Sequence, residues 1–176
     1  MHDPKKLHSF EALVLPQLGA AYNLARWLTR NDHDAEDVVQ EAYLRAFRFF
    51  DGFRGGDARA WLLTIVRNTF YSWLSNNRLR DLSSPLEDKE WELESVTPDP
   101  ELNAIQNSER HRLEQAIEEL PTEFREVLIL RELEGMSYKE ISDIAEIPLG
   151  TVMSRLARAR KRLQQSLANV LGRGLR

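Results

Sequence analysis

The chain has 176 residues, of which 42% are hydrophobic and 30% charged, and its net charge is −4 at pH 7. This size allows one or two small domains with apolar cores. The absence of cysteine excludes disulfides, thiolate zinc sites and cysteine nucleophiles, and it fits a reducing cytoplasm. No apolar run approaches membrane-spanning length and the N-terminus lacks the apolar core of a signal peptide, so we expect a cytoplasmic protein without direct membrane insertion.

The first eighty residues predict three helices. The first pattern covers Leu7–Arg30, and Pro16 either kinks this helix or makes it restart. Asp34 is predicted as the N-cap of the second helix, because Asp accepts hydrogen bonds from free helical N–H groups. After two glycines, the third helix is predicted from Ala58 to about Leu79. The second helix has an apolar stripe that we expect to be buried, made of Ala35, Val38, Val39, Ala42, Ala46, Phe49, Phe50 and Phe53.

The third helix mixes cations, amides and an aromatic on one face. Arg67, Asn68 and Tyr71 lie on this face. Such a combination can hold phosphates and stack bases, as it does in proteins that bind single-stranded nucleic acid. Trp61 and Trp73 also recur at helical spacing, but that spacing is more typical of core packing.

A linker is predicted over residues 81–101, which lose periodicity and carry eight acidic residues against one lysine. Such a segment cannot bury enough apolar surface to fold alone. We therefore predict an all-α fold with two small helical domains, residues 1–80 and 102–176, joined by a flexible acidic linker. The second domain begins with two helices, of which the second is opened by Pro121 and closed by Gly135.

The second domain ends in a predicted helix-turn-helix. Ser137 and Glu140 form a capping-box pattern that begins a short helix, and Pro148 ends it. The next helix starts at Leu149, and residues 149–162 hold five basic residues and no acid. Two helices joined by a tight turn, the second with a polar and basic outer face, are typical of a helix that enters the DNA major groove.

Three stretches of the chain resemble one known family. They are DAEDVVQEAYLRAFRFF (Asp34–Phe50), FRGGDARAWLLTIVRNTFYSWL (Phe53–Leu74) and LPTEFREVLILRELEGMSYKEISDIAEIPLGTVMSRLARARKRL (Leu120–Leu163). In this order across an acidic linker, they resemble the extracytoplasmic-function (ECF) class of bacterial sigma-70 factors over nearly the whole chain. The resemblance implies a transcription initiation factor of the stress-response type, which is not an enzyme and needs no cofactor or metal.

The resemblance also implies roles for three sets of residues. The set that would dock on the clamp helices of the largest polymerase subunit is Asp37, Gln40, Glu41 and Leu44. The set that would melt and read the −10 element is Phe53, Arg54, Gly55, Arg67, Asn68 and Tyr71. The set that would read the −35 element is Thr151, Met153, Ser154, Arg155, Arg158 and Arg162. The implied partners are core RNA polymerase, through its clamp helices and flap, promoter DNA and an anti-sigma factor.

One of these residues departs from the family. Some relatives carry arginine where this chain has Met153, so the −35 sequence cannot be carried over. A methionine reads no hydrogen-bond pattern, but it can contact a thymine methyl group in the major groove.

Two other functions stay open at this point. The chain could be a stand-alone helix-turn-helix regulator with an N-terminal sensor domain, although a sensor has no reason for the Arg67–Tyr71 face. It could also be a metal enzyme that uses His33 with acids from 34–41, although the helix dipole already explains acids in a first turn. We also hypothesise that the free chain is closed, with linker acids competing with DNA phosphate for the basic recognition helix.

Overall fold

The computed structural model describes residues 3–83 and 104–173, which form α-helices and no β-strand. The helices are α1 (Pro4–Val14), α2 (Leu18–Thr29), α3 (Asp32–Phe49), α4 (Ala58–Ser83), α5 (Ala104–Glu118), α6 (Thr122–Glu132), α7 (Tyr138–Ala145) and α8 (Leu149–Arg173). The predicted all-α fold is confirmed. Helix α4 continues to Ser83, past its predicted end at Leu79 and into the range predicted as linker. Residues 84–103, which hold most of that linker, lie outside the described residues.

Proline divides the first predicted helix into α1 and α2. A 3-10 turn at Leu15–Gln17 separates them, so the helix restarts after Pro16 instead of continuing through a kink. The reason is that proline lacks the N–H that an α-helix needs at this point. Asp3 caps α1 by accepting a hydrogen bond from the Lys5 N–H at 3.0 Å.

Helix α3 begins earlier than predicted. Asn31 is its N-cap, and the Asn31 Oδ1 accepts a hydrogen bond from the Asp34 N–H at 3.0 Å. The predicted N-cap at Asp34 is therefore wrong. Arg30 adopts the left-handed conformation at φ 59°, and this tight reversal lets α3 start directly at Asp32.

Most of the predicted α3 stripe is buried, but its end is not. Ala35, Val38, Val39, Ala42 and Ala46 are all buried. Phe49, in contrast, is 59% exposed, because it is the last residue of α3 and neighbouring helices no longer cover it. Phe50 and Phe53 are half-buried and stack on each other with ring centroids 6.0 Å apart.

Helix α4 lies at the centre of the first domain. Asp57 begins it by accepting hydrogen bonds from the backbone N–H groups of Arg59 and Ala60. Trp61 and Trp73 are half-buried and pack against the hydrophobic core, as their helical spacing indicated.

The helix-turn-helix forms as predicted. Ser137 and Glu140 make the reciprocal capping box at the start of α7. Glu146 then reverses the chain at φ 54°, and α8 follows from Leu149. Val152 and Leu156 on the inner face of α8 are buried, which fixes the direction of its outer face.

The two domains, α1–α4 and α5–α8, pack directly against each other. Helix α6 contacts α2, and α7 contacts α4. All six residues from Arg125 to Leu130 are buried, so α6 is covered on every side. As a result, one continuous apolar cluster joins the cores of the two domains.

Candidate polymerase and promoter interfaces

The predicted polymerase-binding residues form one exposed row on α3. Asp37, Gln40, Glu41 and Leu44 are spaced by three or four residues, so they share a helix face. Leu44 is 65% exposed, so its apolar side chain is available for a contact. Glu41 pairs with Arg45 one turn later at 2.9 Å. The row thus combines acidic groups with one apolar side chain.

The loop before α4 presents open backbone. Gly55 and Gly56 have φ values of 86° and 95°, which favour glycine strongly. A Cβ at either position would meet nothing within 4 Å, so the space beside the loop is free. Arg54 is exposed, while Phe53 packs partly against Trp61 with ring centroids 5.0 Å apart. This geometry can admit a nucleotide close to the backbone.

The polar face of α4, in contrast, is covered by the second domain. The Arg67 Nε donates a hydrogen bond to a carboxylate oxygen of Glu126 at 2.6 Å, and the Tyr71 hydroxyl donates to the other oxygen at 3.2 Å. The Arg67 guanidinium also lies over the Tyr71 ring, 4.4 Å from its centroid. Asn68 is half-buried and accepts a hydrogen bond from Arg67. The structure therefore separates the predicted −10 residues into an open loop and a covered helix face.

Burial at this contact shifts two pKa values. Burial is the main cause that raises the pKa of the Glu126 carboxyl, and the neighbouring Arg67 charge and Arg155 on α8 partly offset it. Burial, together with the Glu126 charge, raises the pKa of the Tyr71 hydroxyl to about 12. Tyr71 therefore stays protonated and donates its hydrogen bond at any physiological pH.

A second charged contact joins the domains at Glu134. This residue is 6% exposed, and its carboxylate accepts hydrogen bonds from Asn23 at 2.9 Å and from Arg59 at 2.5 Å. Arg59 also donates to the Glu134 backbone carbonyl at 2.6 Å. The first turn of α4 and the middle of α2 are thereby tied to the segment that follows α6.

Arg125 makes a third contact at the ends of two helices. Its guanidinium donates to the carbonyls of Glu118 at 2.9 Å, Leu120 at 2.7 Å and Leu28 at 3.3 Å. These carbonyls lie where helices end and have no intrahelical partner. Burial, together with the nearby Arg30 charge, lowers the Arg125 pKa to about 10.

The outer face of α8 stays open. Met153 is 52% exposed, and Ser154, Arg158 and Arg162 are also exposed. Thr151 and Arg155 are half-buried, and Arg155 lies on the side of α8 that faces Glu126. The structure thus brings the predicted −35 residues together on one helix and leaves most of them accessible.

Sequence reasoning missed Glu126 and Glu134 as contacts between the domains. Each looks like an ordinary surface acid in the sequence. The available signal was the apolar run VLIL at 127–130, which puts apolar residues on every side of α6. A helix that is apolar all round is buried, so the acids on α6 could have been expected to lie in the interior.

The structure also bears on membrane and metal binding. Within residues 3–83 and 104–173, no helix is both long enough and apolar enough to cross a membrane. In the same part of the chain, His, Asp and Glu side chains form no cluster that could hold a metal ion. His33 and the acids near it thus lie in no such arrangement.

Comparison with known families assigns both domains. Residues 13–80 match the family described as sigma-70 region 2, and residues 110–163 match sigma-70 region 4. Among curated relatives, the ECF RNA polymerase sigma-E factor of Escherichia coli is 37% identical, with 80% of this chain and 77% of that protein aligned. The RNA polymerase sigma-H factor of Pseudomonas aeruginosa is 34% identical, with 93% and 88% aligned. The ECF sigma factor SigE of Mycolicibacterium smegmatis is 35% identical over 94% of this chain, which spans 64% of that protein's length.

Two solved structures are similar across both domains. One is the sigma factor RpoE of Bartonella quintana in complex with the anti-sigma factor NepR, with a TM-score of 0.71 and 31% identity over 91% of this chain and 97% of that one. The other is CnrH in complex with the cytosolic domain of CnrY, with a TM-score of 0.64 and 25% identity over 93% and 90%.

Fold and site together define a two-domain helical DNA-binding protein with a C-terminal helix-turn-helix. The family matches and the relatives make the class more specific. The chain belongs to the sigma-70 family, and within it to the ECF sigma factors. This family consists of non-enzymatic transcription initiation factors that bind core RNA polymerase and promoter DNA.

Proposed function

We propose that this chain directs core RNA polymerase to a specific set of promoters. The α3 row would dock on the polymerase clamp helices, α8 would read the −35 duplex, and the loop and polar face of α4 would open and read the −10 element. The proposed activity takes place in the cytoplasm, where bacterial DNA is transcribed.

One observation carries this proposal. One chain combines an exposed acidic row with a solvent-facing leucine, within the region 2 match, and an exposed recognition helix without acids, within the region 4 match. A helix-turn-helix alone would support any duplex DNA binder. The α3 row and the open glycine loop add surfaces that a stand-alone regulator does not need.

Polymerase binding is tested by comigration of the purified chain with core enzyme. Asp37→Lys combined with Glu41→Lys should weaken the complex and leave helix content unchanged. Glu11→Lys with Asp51→Lys is the matched control, since both acids are exposed in the same domain and neither lies on α3. The proposal fails if the unchanged chain does not comigrate with core enzyme. Equal binding by both double variants would remove Asp37 and Glu41 from the interface.

Promoter reading through α8 is tested by two arginines of the same helix. Arg158→Ala should reduce −35-dependent transcription, because a bidentate base contact contributes about 1–3 kcal/mol. Arg160→Ala is the control, since Arg160 pairs with Glu132 at 2.7 Å on the surface. A loss that is equal for all promoter variants would indicate phosphate anchoring, and a loss of discrimination at one base would indicate readout.

Strand opening is tested with Asn68→Ala and Tyr71→Ala. Each should reduce initiation on duplex promoters, and a pre-melted template should restore it. Asn76→Ala, at an exposed position on another side of α4, should have no effect. If the pre-melted template does not rescue the two variants, this face does not melt DNA.

Control by an anti-sigma factor is the last part of the proposal. Two similar structures, RpoE with NepR and CnrH with the cytosolic domain of CnrY, are complexes with such regulators. The close similarity of both domains to RpoE supports the same mode of control here. A partner that blocks comigration with core enzyme and is recovered in a complex with this chain would establish it.

A further inference from the structure

We infer that the closed chain masks one of its two DNA-binding surfaces and leaves the other accessible. The second domain covers the polar face of α4, while the outer face of α8 remains open to solvent. That the masked α4 face binds DNA rests on the proposed function. That the second domain covers this face does not, since it follows from the contacts between the two domains.

The covered face is occupied by an internal anion. Glu126 is completely buried, and its carboxylate is bound by the Arg67 guanidinium and the Tyr71 hydroxyl. Guanidinium groups bind carboxylates and phosphates with similar geometry, so Glu126 occupies a position that a DNA phosphate would need. One face of the Tyr71 ring is in turn covered by Arg67, so this face cannot stack on a base in the closed chain.

Two further attachments hold this arrangement. Glu134 binds Arg59 and Asn23, one on α4 and one on α2. Arg125 binds the Leu28 carbonyl at the end of α2. Opening the domains would therefore break contacts at three separate places along the interface, and a single-stranded nucleic acid must compete with all three.

The recognition helix is not covered in the same way. Met153, Ser154 and Arg158 are exposed in the closed chain. The linker acids that the sequence suggested as a shield for α8 lie, apart from Asp81, outside the described residues. In the structure, acids of the second domain cover arginines of the first. The closed chain can therefore contact duplex DNA through α8 before its strand-opening face is available.

The test measures conformation and DNA binding on the full chain. Because the chain has no cysteine, Glu11→Cys and Gln164→Cys introduce the two sole thiols for nitroxide labels, one on each domain at exposed positions. The nucleic-acid probes are a mixed-sequence 20-nucleotide single strand and the matching 20-base-pair duplex at low salt (lengths of about two helical turns). Their sequences need not match a promoter, because phosphate contacts and stacking tolerate any sequence.

Two variants open the interface from opposite sides. Glu126→Gln with Glu134→Gln removes both buried acids, and Arg59→Gln removes a cation from the first domain. Glu109→Gln with Glu119→Gln is the control for charge, since both acids are exposed in the second domain. Arg59→Gln is informative because losing a cation should weaken DNA binding if only net charge mattered.

We expect the label distance to be narrow in the unchanged chain and broad in both opened variants. Single-strand affinity should rise about tenfold in these variants if closure leaves a tenth of the chains competent, while duplex affinity changes little. An unchanged label distance in both variants would overturn closure by these contacts. A parallel rise in duplex affinity would overturn selective masking. Broadened distances with unchanged single-strand affinity would show that closure is real but the α4 face is not a nucleic-acid surface, which refutes the masking and that part of the proposed function together.

Discussion

The Arg67–Glu126 pair allows a quantitative prediction about how strongly the domains stabilise each other. Glu126→Gln keeps the shape of the side chain and removes its charge. Breaking a buried ion pair costs about 3–5 kcal/mol, whereas an exposed pair contributes about 0–1 kcal/mol. Glu126 is fully buried and Arg67 is 16% exposed, so the energy of a buried pair applies here. Because the new amide can still accept a hydrogen bond, we expect a loss of about 3 kcal/mol of unfolding free energy.

The double variant separates the pair from its surroundings. With Arg67→Gln as well, neither charge remains, and the total loss should be smaller than the sum of the single losses by about 2 kcal/mol. The control cycle uses Arg110 and Glu114, an exposed pair one turn apart with side chains 79% and 42% exposed. Its coupling should be about 0.3–0.5 kcal/mol.

Urea unfolding followed by two probes is the assay. Trp27, Trp61 and Trp73 lie in the first domain, Trp91 is in the predicted linker and residues 104–176 contain no tryptophan. Tryptophan fluorescence therefore reports mainly on the first domain, while far-UV circular dichroism reports on both. We expect the two transitions to coincide in the unchanged chain and to separate in Glu126→Gln. Strictly additive single losses, or transitions that stay coincident in the variant, would refute the argument that this pair couples the domains.

Three further predictions concern pH, capping and packing. Because burial, together with the Glu126 charge, raises the pKa of Tyr71 from 10 to about 12, the free energy of unfolding should decrease as pH rises through this range, and urea titrations of Tyr71→Phe should lack this slope. Ser137→Ala removes one half of the capping box and should cost about 1 kcal/mol of unfolding free energy, with Ser72→Ala at an exposed position as the control. Leu156→Ala leaves a cavity behind the recognition helix and should cost about 2–5 kcal/mol, while Leu113→Ala at a half-exposed position should cost clearly less in the same thermal or urea unfolding experiment.

Local chemistry explains why the helix-turn-helix could be predicted from the sequence. Ser137 and Glu140 satisfy each other's backbone groups within four residues, which determines the start of α7. Pro148 disfavours a helical Ile147, so an end of α7 shortly before it could be expected, and Glu146 makes that end in the left-handed conformation. The start of α3 is harder, because 31–34 reads Asn-Asp-His-Asp and offers several capping side chains. Asn31 caps α3 in the structure because the left-handed Arg30 reverses the chain just before it, which the sequence does not signal.

The contacts between the domains could not be predicted, because they depend on residues that are far apart in the sequence. Glu126 and Arg67 are 59 positions apart, and Glu134 and Asn23 are 111 apart. An isolated acid in a helix usually faces solvent, so only the placement of α6 between α2 and α8 makes these acids interior residues. The sequence placed the predicted DNA-binding residues on the correct helices. It could not show whether the other domain covers them, because that depends on tertiary packing.

This separation along the chain has a consequence for protein synthesis. Ribosomes add about 5–20 residues per second, so Glu126 is added roughly 3–12 s after Arg67, and Glu134 follows later still. The first domain is complete by then, since α1–α4 end at Ser83. From the addition of Ser83 to the addition of Glu126, each nascent chain therefore holds the whole first domain while Arg59 and Arg67 lack their carboxylate partners. The number of nascent chains with an uncovered α4 face thus depends on the number of ribosomes that translate the message. It does not depend on whether the finished protein is closed.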